Sequence, residues 1–262
     1  MMNVTTTITV PPDGAYFEGH FPGQPILPGV AQIALALEAL ARTTHAEITL
    51  QGISSMRLRQ IVRPGETLDL SVRTVEAERV RVELKRAGTL VANGEWRLGA
   101  PAAAPEGSAA ITAAFAPLAG VPPLDRLLPH RPPLRFLHTI VAETADSLTC
   151  TALIPLECLL TQAGSVPAVV GLEAAAQAAA AWEVLRRRAS EGETATARIG
   201  YLVGLRDVLF FTERIPAGET LGVTVILEAA APPLHHYRVA LTLRGQLLAQ
   251  GMIATFLQEG GE

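Results

Sequence analysis

The sequence contains only two cysteines, Cys150 and Cys158, too few and too closely spaced for a disulfide framework or a zinc site. We expect both to be small apolar side chains in the interior. The net charge of −4 lacks the excess of positive charge that is typical of nucleic-acid-binding proteins. The composition therefore predicts neither a nucleic-acid partner nor a cysteine metal site.

A long uninterrupted apolar run is also missing. The most apolar stretch, around residues 166–182, is broken by Glu173 and Gln177, so we expect it to be too short and too polar to span a bilayer. The N-terminus has no charged segment followed by an apolar one, so no secretory signal is expected. These features favour a cytoplasmic protein without a membrane partner.

What the chain does have is apolar material for large cores, with 49% hydrophobic and 18% charged residues over 262 positions. Residues 100–123 are dominated by Ala and Pro without strong periodicity, which is typical of a linker. We therefore predict an N-terminal domain over 1–99, this linker, and a C-terminal domain over 124–262.

Each half contains one helix that is apolar on nearly every side, over residues 29–42 and 169–188, and such helices are buried. β-Branched, alternating segments around the helices predict strands. The strands are expected near residues 3–10, 47–59, 67–77, 79–86, 88–98, 136–144, 146–155, 198–213, 219–230, 234–244 and 246–257. The pattern predicts, twice, a buried helix wrapped by an antiparallel sheet.

The two halves also share an internal repeat. Residues 27–30 (Leu-Pro-Gly-Val) match residues 166–169 (Val-Pro-Ala-Val) at an offset of 139, and residues 64–68 match residues 217–221 at an offset of 153. Both matches fall in the same order on the same predicted elements. A tandem duplication is therefore predicted.

A stiff loop over residues 18–30 precedes the first helix and carries His20. Three prolines fix its backbone, and Gly29 marks the start of the helix. A helix N-terminus offers free N–H groups and partial positive charge to a polarised oxygen. The loop therefore predicts a fixed general base beside such a site.

The sequence Gly-His-Phe-Pro-Gly-x-Pro-x-x-Pro-Gly-Val at residues 19–30 resembles the signature of the hotdog-fold 3-hydroxyacyl-[acyl-carrier-protein] dehydratases. The resemblance implies an α+β double hotdog, two tandem hotdog domains that each wrap a curved antiparallel sheet around a buried helix. In that family the His is catalytic, and its carboxylate partner lies fourteen positions later on the central helix. Ala34 occupies that position here.

The repeat places the missing acid in the second half. Ala34 corresponds to Glu173, and His20 corresponds to Leu159, so each half keeps one member of the family's pair. The dehydratases that the chain resembles take the His from one hotdog and the acid from the other. The resemblance therefore implies one working site, His20 with Glu173, and one inactive site, Leu159 with Ala34.

Dehydration needs a base for the proton next to the carbonyl and an acid for the departing hydroxyl. We expect His20 to be the base and Glu173, kept protonated by burial, to be the acid. The backbone N–H of Gly29 is expected to donate a hydrogen bond to the thioester oxygen, on which negative charge builds. By resemblance, the carbonyl of Ile26 orients His20, while Gln177, one turn from Glu173, is expected to hold that carboxyl.

Other polar residues are expected to be structural. Residues 128–133 resemble an N-terminal motif of the same dehydratases, but the motif is mostly a turn before a strand, so His130 and Arg131 are expected to serve structure. Glu38 lies on the inactive side, so we expect it to make a structural polar contact. Residues 186–188 (Arg-Arg-Arg) are expected to satisfy a helix C-terminus, with docking of an acidic carrier protein as the weaker interpretation.

The second half also resembles a divergent dehydratase of aryl polyene and related type II polyketide clusters. The similar stretches are residues 165–177 and 200–204, and residues 26–32 resemble the partner dehydratase of those clusters.

We therefore expect a dehydratase of 3-hydroxyacyl thioesters, with phosphopantetheine-linked substrates on an acyl carrier protein and no cofactor or metal. Three alternatives stay open: a thioesterase that uses Glu173 with water, a trans-2/cis-3 enoyl isomerase, and a non-catalytic acyl-carrier binding module or partner subunit. A higher oligomer of the fused pseudo-dimer also stays open.

Overall fold

The computed structural model describes residues 1–13, 16–105, 116–158, 161–192 and 197–258. The strands are β1 (Asn3–Thr9), β2 (Leu50–Leu58), β3 (Thr67–Glu76), β4 (Arg79–Arg86), β5 (Thr89–Leu98), β6 (Leu137–Glu143), β7 (Ser147–Leu153), β8 (Ser165–Pro167), β9 (Gly200–Phe210), β10 (Arg214–Pro216), β11 (Thr220–Ala231), β12 (Leu234–Leu243) and β13 (Gln246–Leu257). The helices are α1 (Gly29–Thr44), α2 (Leu124–Leu127) and α3 (Leu172–Glu191), with a 3₁₀ turn over Ala168–Gly171 that leads into α3.

Eleven strands form one continuous antiparallel sheet in the order β1-β3-β4-β5-β2-β9-β13-β12-β11-β7-β6, while β8 and β10 pair separately. The first five strands of this order come from the first half of the chain and the other six from the second. The helix α1 packs against β1, and α3 packs against β7, β11 and β12. The predicted α+β double hotdog is confirmed.

The two halves join where β2 lies antiparallel to β9, with Gly52 opposite Leu209. A Cβ atom on Gly52 would lie 2.6 Å from the carbonyl oxygen of Val208, so glycine is needed for this close approach. Because the seam is a hydrogen-bonded strand pair, it fixes the position of one half against the other.

Both central helical segments begin after a proline in nearly the same conformation. Pro28 has φ −53° and ψ 143°, and Pro167 has φ −53° and ψ 139°. These are the two prolines that the repeat aligns. The 3₁₀ turn after Pro167 packs against α1, so the starts of both helical segments lie at the interface between the halves.

Some boundaries differ from the expectation. The helix α3 runs to Glu191, three residues further than predicted, so residues 186–188 lie within it; Arg187 pairs with Glu183, and Arg188 lies in the last turn. The sequence also did not predict α2, β8 or β10.

The linker carries no helix or strand over 100–105 and 116–123, and its middle, residues 106–115, lies outside the described residues. The domain boundaries at 99 and 124 stay predictions.

The expectation that the apolar run is too short and too polar to span a bilayer was wrong. The helical stretch Ala168–Glu191 is long and apolar enough to cross a membrane by length and composition, because the helix extends beyond the run that the sequence suggested. However, 89% of its most apolar window is buried inside the protein, as in a core helix. Both cysteines are buried as expected.

Candidate active site

His20 is tied to Ile26 by two hydrogen bonds that run in opposite directions. The Ile26 N–H donates to the His20 carbonyl at 3.1 Å, and the His20 ring nitrogen Nδ1 lies 3.0 Å from the Ile26 carbonyl. Because a carbonyl oxygen only accepts, Nδ1 carries the proton of the neutral ring. The Nε2 atom is then left as the proton acceptor, which is the tautomer that a general base needs.

Glu173 lies on the first turn of α3, and Gln177 holds it from one turn further along. The Gln177 side-chain amide donates to the Oε1 atom of Glu173 at 3.1 Å and to the Leu134 carbonyl at 2.8 Å. Its own Oε1 atom accepts from the backbone N–H groups of Phe136 and Leu137 at 2.8 and 3.1 Å. Gln177 is fully buried, so these contacts fix the carboxyl of Glu173 against the chain before β6.

His20 and Glu173 meet in one cavity of about 310 Å³, which is also lined by Ile26, Gly29 and His130. Ligand-capable atoms of His20, His130 and Glu173 all lie within 4.8 Å of one another. The geometric condition for a shared site is therefore met, because the two predicted partners are separated by no more than one small group. Their catalytic roles stay predictions.

The same three side chains are the ones, among the described residues, whose atoms cluster closely enough to bind a metal ion. Two imidazoles and a carboxylate form a known ligand set for transition metals. The proton transfers of a dehydration need no such ion.

Gly29 lies where the sequence predicted, on the cavity wall at the first residue of α1. The first N–H groups of a helix have no acceptor within the helix, so they are free to meet a ligand oxygen. The sequence analysis missed its neighbour Gln32. This side chain is buried and lines the cavity, and its Oε1 atom has no hydrogen-bond partner among the described residues.

His130 is a further residue that the sequence analysis did not place in the site. Its Nε2 atom lies 3.3 Å from the Oε1 atom of Glu173, and its side chain is only 6% exposed. The expectation that His130 serves only a turn is therefore wrong for its side chain. Arg131 does serve the turn, since its guanidinium donates to the carbonyls of Leu128 and His130. The sequence signal that could have placed His130 in the site was its position in the family-like motif at residues 128–133.

The loops that carry His20 and His130 touch through their backbones. The Arg131 N–H donates to the Gly19 carbonyl at 3.0 Å. Gly19 has φ +89°, and a Cβ atom there would lie 2.0 Å from the Arg131 carbonyl oxygen. Only glycine allows this contact, which sets the distance between the two imidazoles.

Replacing Gly19 by alanine should push the two loops apart. Misplacement of a catalytic group by about 1 Å costs on the order of 10² in rate, so we expect a loss of that size in kcat/KM. Gly23→Ala is the matched control, because Gly23 also has positive φ (+79°) but nothing lies within 4 Å of its Cβ position. Steady-state kinetics and thermal melting of both variants test the prediction. Equal losses of activity would show that backbone strain, and not loop contact, matters.

The electrostatics of the pair differ from the expectation. Burial lowers the pKa of His20 to about 4, although the charge of Glu173 opposes this shift. Burial alone would raise the pKa of Glu173, but a hydrogen bond from His130 together with the nearby His20 and Gln177 outweighs it and lowers this pKa to about 2. The expectation that burial keeps Glu173 protonated is therefore wrong for the ligand-free site, which holds a neutral imidazole and a carboxylate.

The shifted pKa of His20 predicts a dependence of stability on pH. The unfolded chain binds a proton at His20 near pH 6.5, and the folded chain only near pH 4. The contribution of His20 to the free energy of unfolding should therefore be fully present above pH 6.5. It should be lost as the pH drops towards 4, which lowers the free energy of unfolding by on the order of 3 kcal/mol.

Urea unfolding at several pH values between about 4.5 and 7 tests this dependence. The variant His20→Gln should show a shallower loss of unfolding free energy over this range. An identical slope in both proteins would contradict the prediction.

The opposite pseudo-site is a second cavity, of about 260 Å³, lined by Ala34, Ala168 and Val169. Ala34 and Ala168 are the repeat equivalents of Glu173 and Gly29. Glu38 lines this cavity with an exposed side chain, in line with its expected place away from His20. Leu159, the expected equivalent of His20, lies outside the described residues.

Comparison with known families divides the chain as the repeat does. Residues 122–260 match the model of a family described as ApeP dehydratase, and residues 1–95 match one described as ApeI dehydratase. The resemblance predicted from the motifs is confirmed for both halves.

Individual relatives cover less. A 3-hydroxyacyl-[acyl-carrier-protein] dehydratase FabZ from Chloroflexus aggregans is 46% identical over 77 residues, which is 25% of this chain and 49% of the relative. The chain thus spans about half the length of the curated relatives it matches.

Several solved structures match almost the whole chain, among them two dehydratase domains. The dehydratase domain of PpsC from Mycobacterium tuberculosis, solved with C12:1-CoA, has a TM-score of 0.70 at 19% identity and covers 98% of this chain and 97% of its own. The dehydratase domain of RzxB from Pseudomonas fluorescens has a TM-score of 0.68 at 18% identity, with 96% of each chain covered. At these identities the likeness shows the fold.

Proposed function

Because this chain belongs to the ApeP-like dehydratase family over its second half, with an ApeI-like dehydratase segment before it, we propose that it dehydrates 3-hydroxyacyl thioesters to trans-2-enoyl thioesters. The observation that carries the proposal is the meeting of His20 and Glu173 from opposite halves in one cavity. We propose further that the substrate is linked through phosphopantetheine to an acyl carrier protein.

His20 begins the reaction. Its Nε2 atom is unprotonated at neutral pH, because burial keeps the pKa low and Nδ1 is bonded to Ile26. It takes the proton from the carbon next to the thioester carbonyl and becomes an imidazolium, which the Glu173 carboxylate stabilises. The N–H of Gly29 donates a hydrogen bond to the thioester oxygen as negative charge builds there.

Glu173 completes the dehydration. Since its Oε1 atom already accepts a hydrogen bond from the Gln177 amide, a proton binds on Oε2. The imidazolium of His20, within 4.8 Å, supplies that proton, and Glu173 passes it to the departing hydroxyl. The C–H and C–O bonds break, a C=C bond and one water form, and both side chains return to their starting states. No cofactor enters this balance.

The cavity suits an acyl chain on a phosphate-bearing arm. Small side chains that follow Glu173 on α3, Ala176 and Ala179, also line the cavity. At the edge of the cavity lies the exposed side chain of Arg59, and Arg63 is close enough to Tyr201 for its charge to oppose the rise in the pKa of that phenol that burial causes. Guanidinium groups bind phosphates well.

The positive charge of Arg59 predicts a preference for carrier-bound thioesters over thioesters that lack the phosphate. Arg59→Glu should raise KM for a carrier-protein substrate by roughly tenfold, because it repels the phosphate and acidic carrier surface. The kinetics with an N-acetylcysteamine thioester, which has no phosphate, should stay near wild type. Equal effects on both substrates would contradict recognition of the arm or carrier.

Mass spectrometry of the thioester and of the released products tests the function itself. Incubation with 3-hydroxyacyl-carrier protein should give a carrier species lighter by one water. Free acid would indicate a thioesterase, and a shifted double bond made from an enoyl substrate would indicate an isomerase. No change with short or long chains would indicate a non-catalytic binding module.

We propose a cytoplasmic setting, which agrees with a carrier-bound substrate and with the burial of α3 in the core. We propose that the reaction belongs to fatty acid synthesis or to a polyene or polyketide pathway. A higher oligomer of the fused pseudo-dimer stays open and is measurable by analytical ultracentrifugation.

A further inference from the structure

We propose that His130 is a positioning residue of this site, whose Nε2–H group binds Oε1 of Glu173 so that Oε2 alone meets the substrate. The inference rests on the proposed dehydratase function. It assigns a role to a side chain that the two-residue mechanism leaves without one.

The hydrogen bonds at Glu173 carry the argument. His130 Nε2 lies 3.3 Å from Oε1, and the Gln177 amide donates to the same oxygen at 3.1 Å. Among the described residues, no hydrogen bond is made to Oε2. The two donors therefore fix the rotation of the carboxyl and leave one oxygen for the leaving hydroxyl.

The tautomer of His130 follows from its surroundings. Its Nδ1 atom is buried and has no hydrogen-bond partner in the described chain, and Nε2 faces a carboxylate oxygen. A carboxylate oxygen accepts hydrogen bonds, so the Nε2 atom that faces it carries a proton. His130 is thus a donor to Glu173, and Nε2 is not available as a second base.

His130 also links the two halves of the site. Its ring meets the edge of Phe21 at a centroid distance of 4.7 Å and lies 5.2 Å from the ring of His20. The neighbouring Arg131 N–H binds the Gly19 carbonyl. A single residue therefore contacts the acid of the second half while being packed on the loop that carries the base of the first.

Conservative variants separate positioning from simple packing. In His130→Gln the side-chain amide nitrogen lies near the position of Nε2 and can still donate, whereas the amide of His130→Asn is one bond shorter and cannot reach. We expect kcat of the Asn variant to fall by roughly 10- to 100-fold with little change in KM, and the Gln variant to keep most of its kcat. His138→Asn, at an exposed histidine of β6, is the control for replacing an imidazole in this half.

Infrared spectroscopy gives a readout that needs no substrate. Loss of the donor in His130→Asn should raise the pKa of Glu173, so the C=O band of a protonated buried carboxyl should appear at a higher pH than in wild type, and the band should be absent when Glu173→Gln is added. Wild-type kinetics in the Asn variant, or equal loss of kcat in both variants, would overturn the proposal. If the wild type dehydrates nothing, the function fails, while the infrared shift still tests the contact separately.

Discussion

His20→Ala is expected to lower kcat/KM for dehydration by about 10²–10⁴-fold, the range for removal of a general base. The other imidazole of the described cavity lining, His130, cannot take over, because its Nε2 atom is turned to Glu173. The carboxylate of Glu173 is itself a weak base at its lowered pKa. The measurement is the initial rate of enoyl-thioester formation on a carrier-bound substrate, with KM determined separately.

Two controls keep this result interpretable. His138→Ala removes an exposed imidazole from β6 and should leave the rate unchanged. His20→Gln nearly keeps the volume of the ring and should be as inactive as the alanine variant, which excludes a collapsed cavity as the cause. Substantial activity in both His20 variants would mean that the base is a different group.

Much of the first-half loop follows from local sequence. Its prolines restrict the backbone between His20 and Gly29, while contacts from elsewhere in the chain also hold the loop, since the Arg131 N–H donates to the Gly19 carbonyl and the Leu27 N–H donates to the Val62 carbonyl. The link between the Ile26 carbonyl and the His20 ring spans six positions, so a motif can encode it. That is why a resemblance over twelve residues located these atoms correctly.

Glu173 was found by a different kind of signal. Nothing near His20 in sequence points to a residue so far along the chain, and only the repeat connects Ala34 with Glu173. The repeat leads to the carboxyl that shares a cavity with His20 because duplication preserves the offset between corresponding helix starts, Pro28 and Pro167, while the sequences around them diverge. The loop equivalent to His20 has diverged too far for the same argument.

What sequence could not give depends on contacts between the halves. The position of His130 follows from the docking of its loop on Gly19, and neither residue identifies the other in a one-dimensional pattern. The same contact changes the chemistry, since the His130 hydrogen bond helps to hold Glu173 ionised despite burial. Predictions of protonation from apolar flanks alone fail where a buried carboxyl has several donors.

Glu173→Gln is expected to reduce kcat/KM by about 10²–10⁴-fold, because an amide can neither bind nor release the proton that the hydroxyl needs. The substitution nearly preserves shape, and its carbonyl oxygen can still accept from His130 and Gln177. Glu38→Gln, on the wall of the second cavity, should retain wild-type rates. A reversed result would place the working acid in the other cavity.

Combining the two inactive variants tests whether one chain builds the whole site. His20 and Glu173 of the same chain meet in the structure, so a mixture of His20→Ala and Glu173→Gln proteins should stay inactive. The double variant should be little worse than either single one, because residues that act as a unit lose their effect together. Recovery of activity in the mixture would mean that the site is assembled from two chains, and the seam between β2 and β9 would then not be what brings base and acid together.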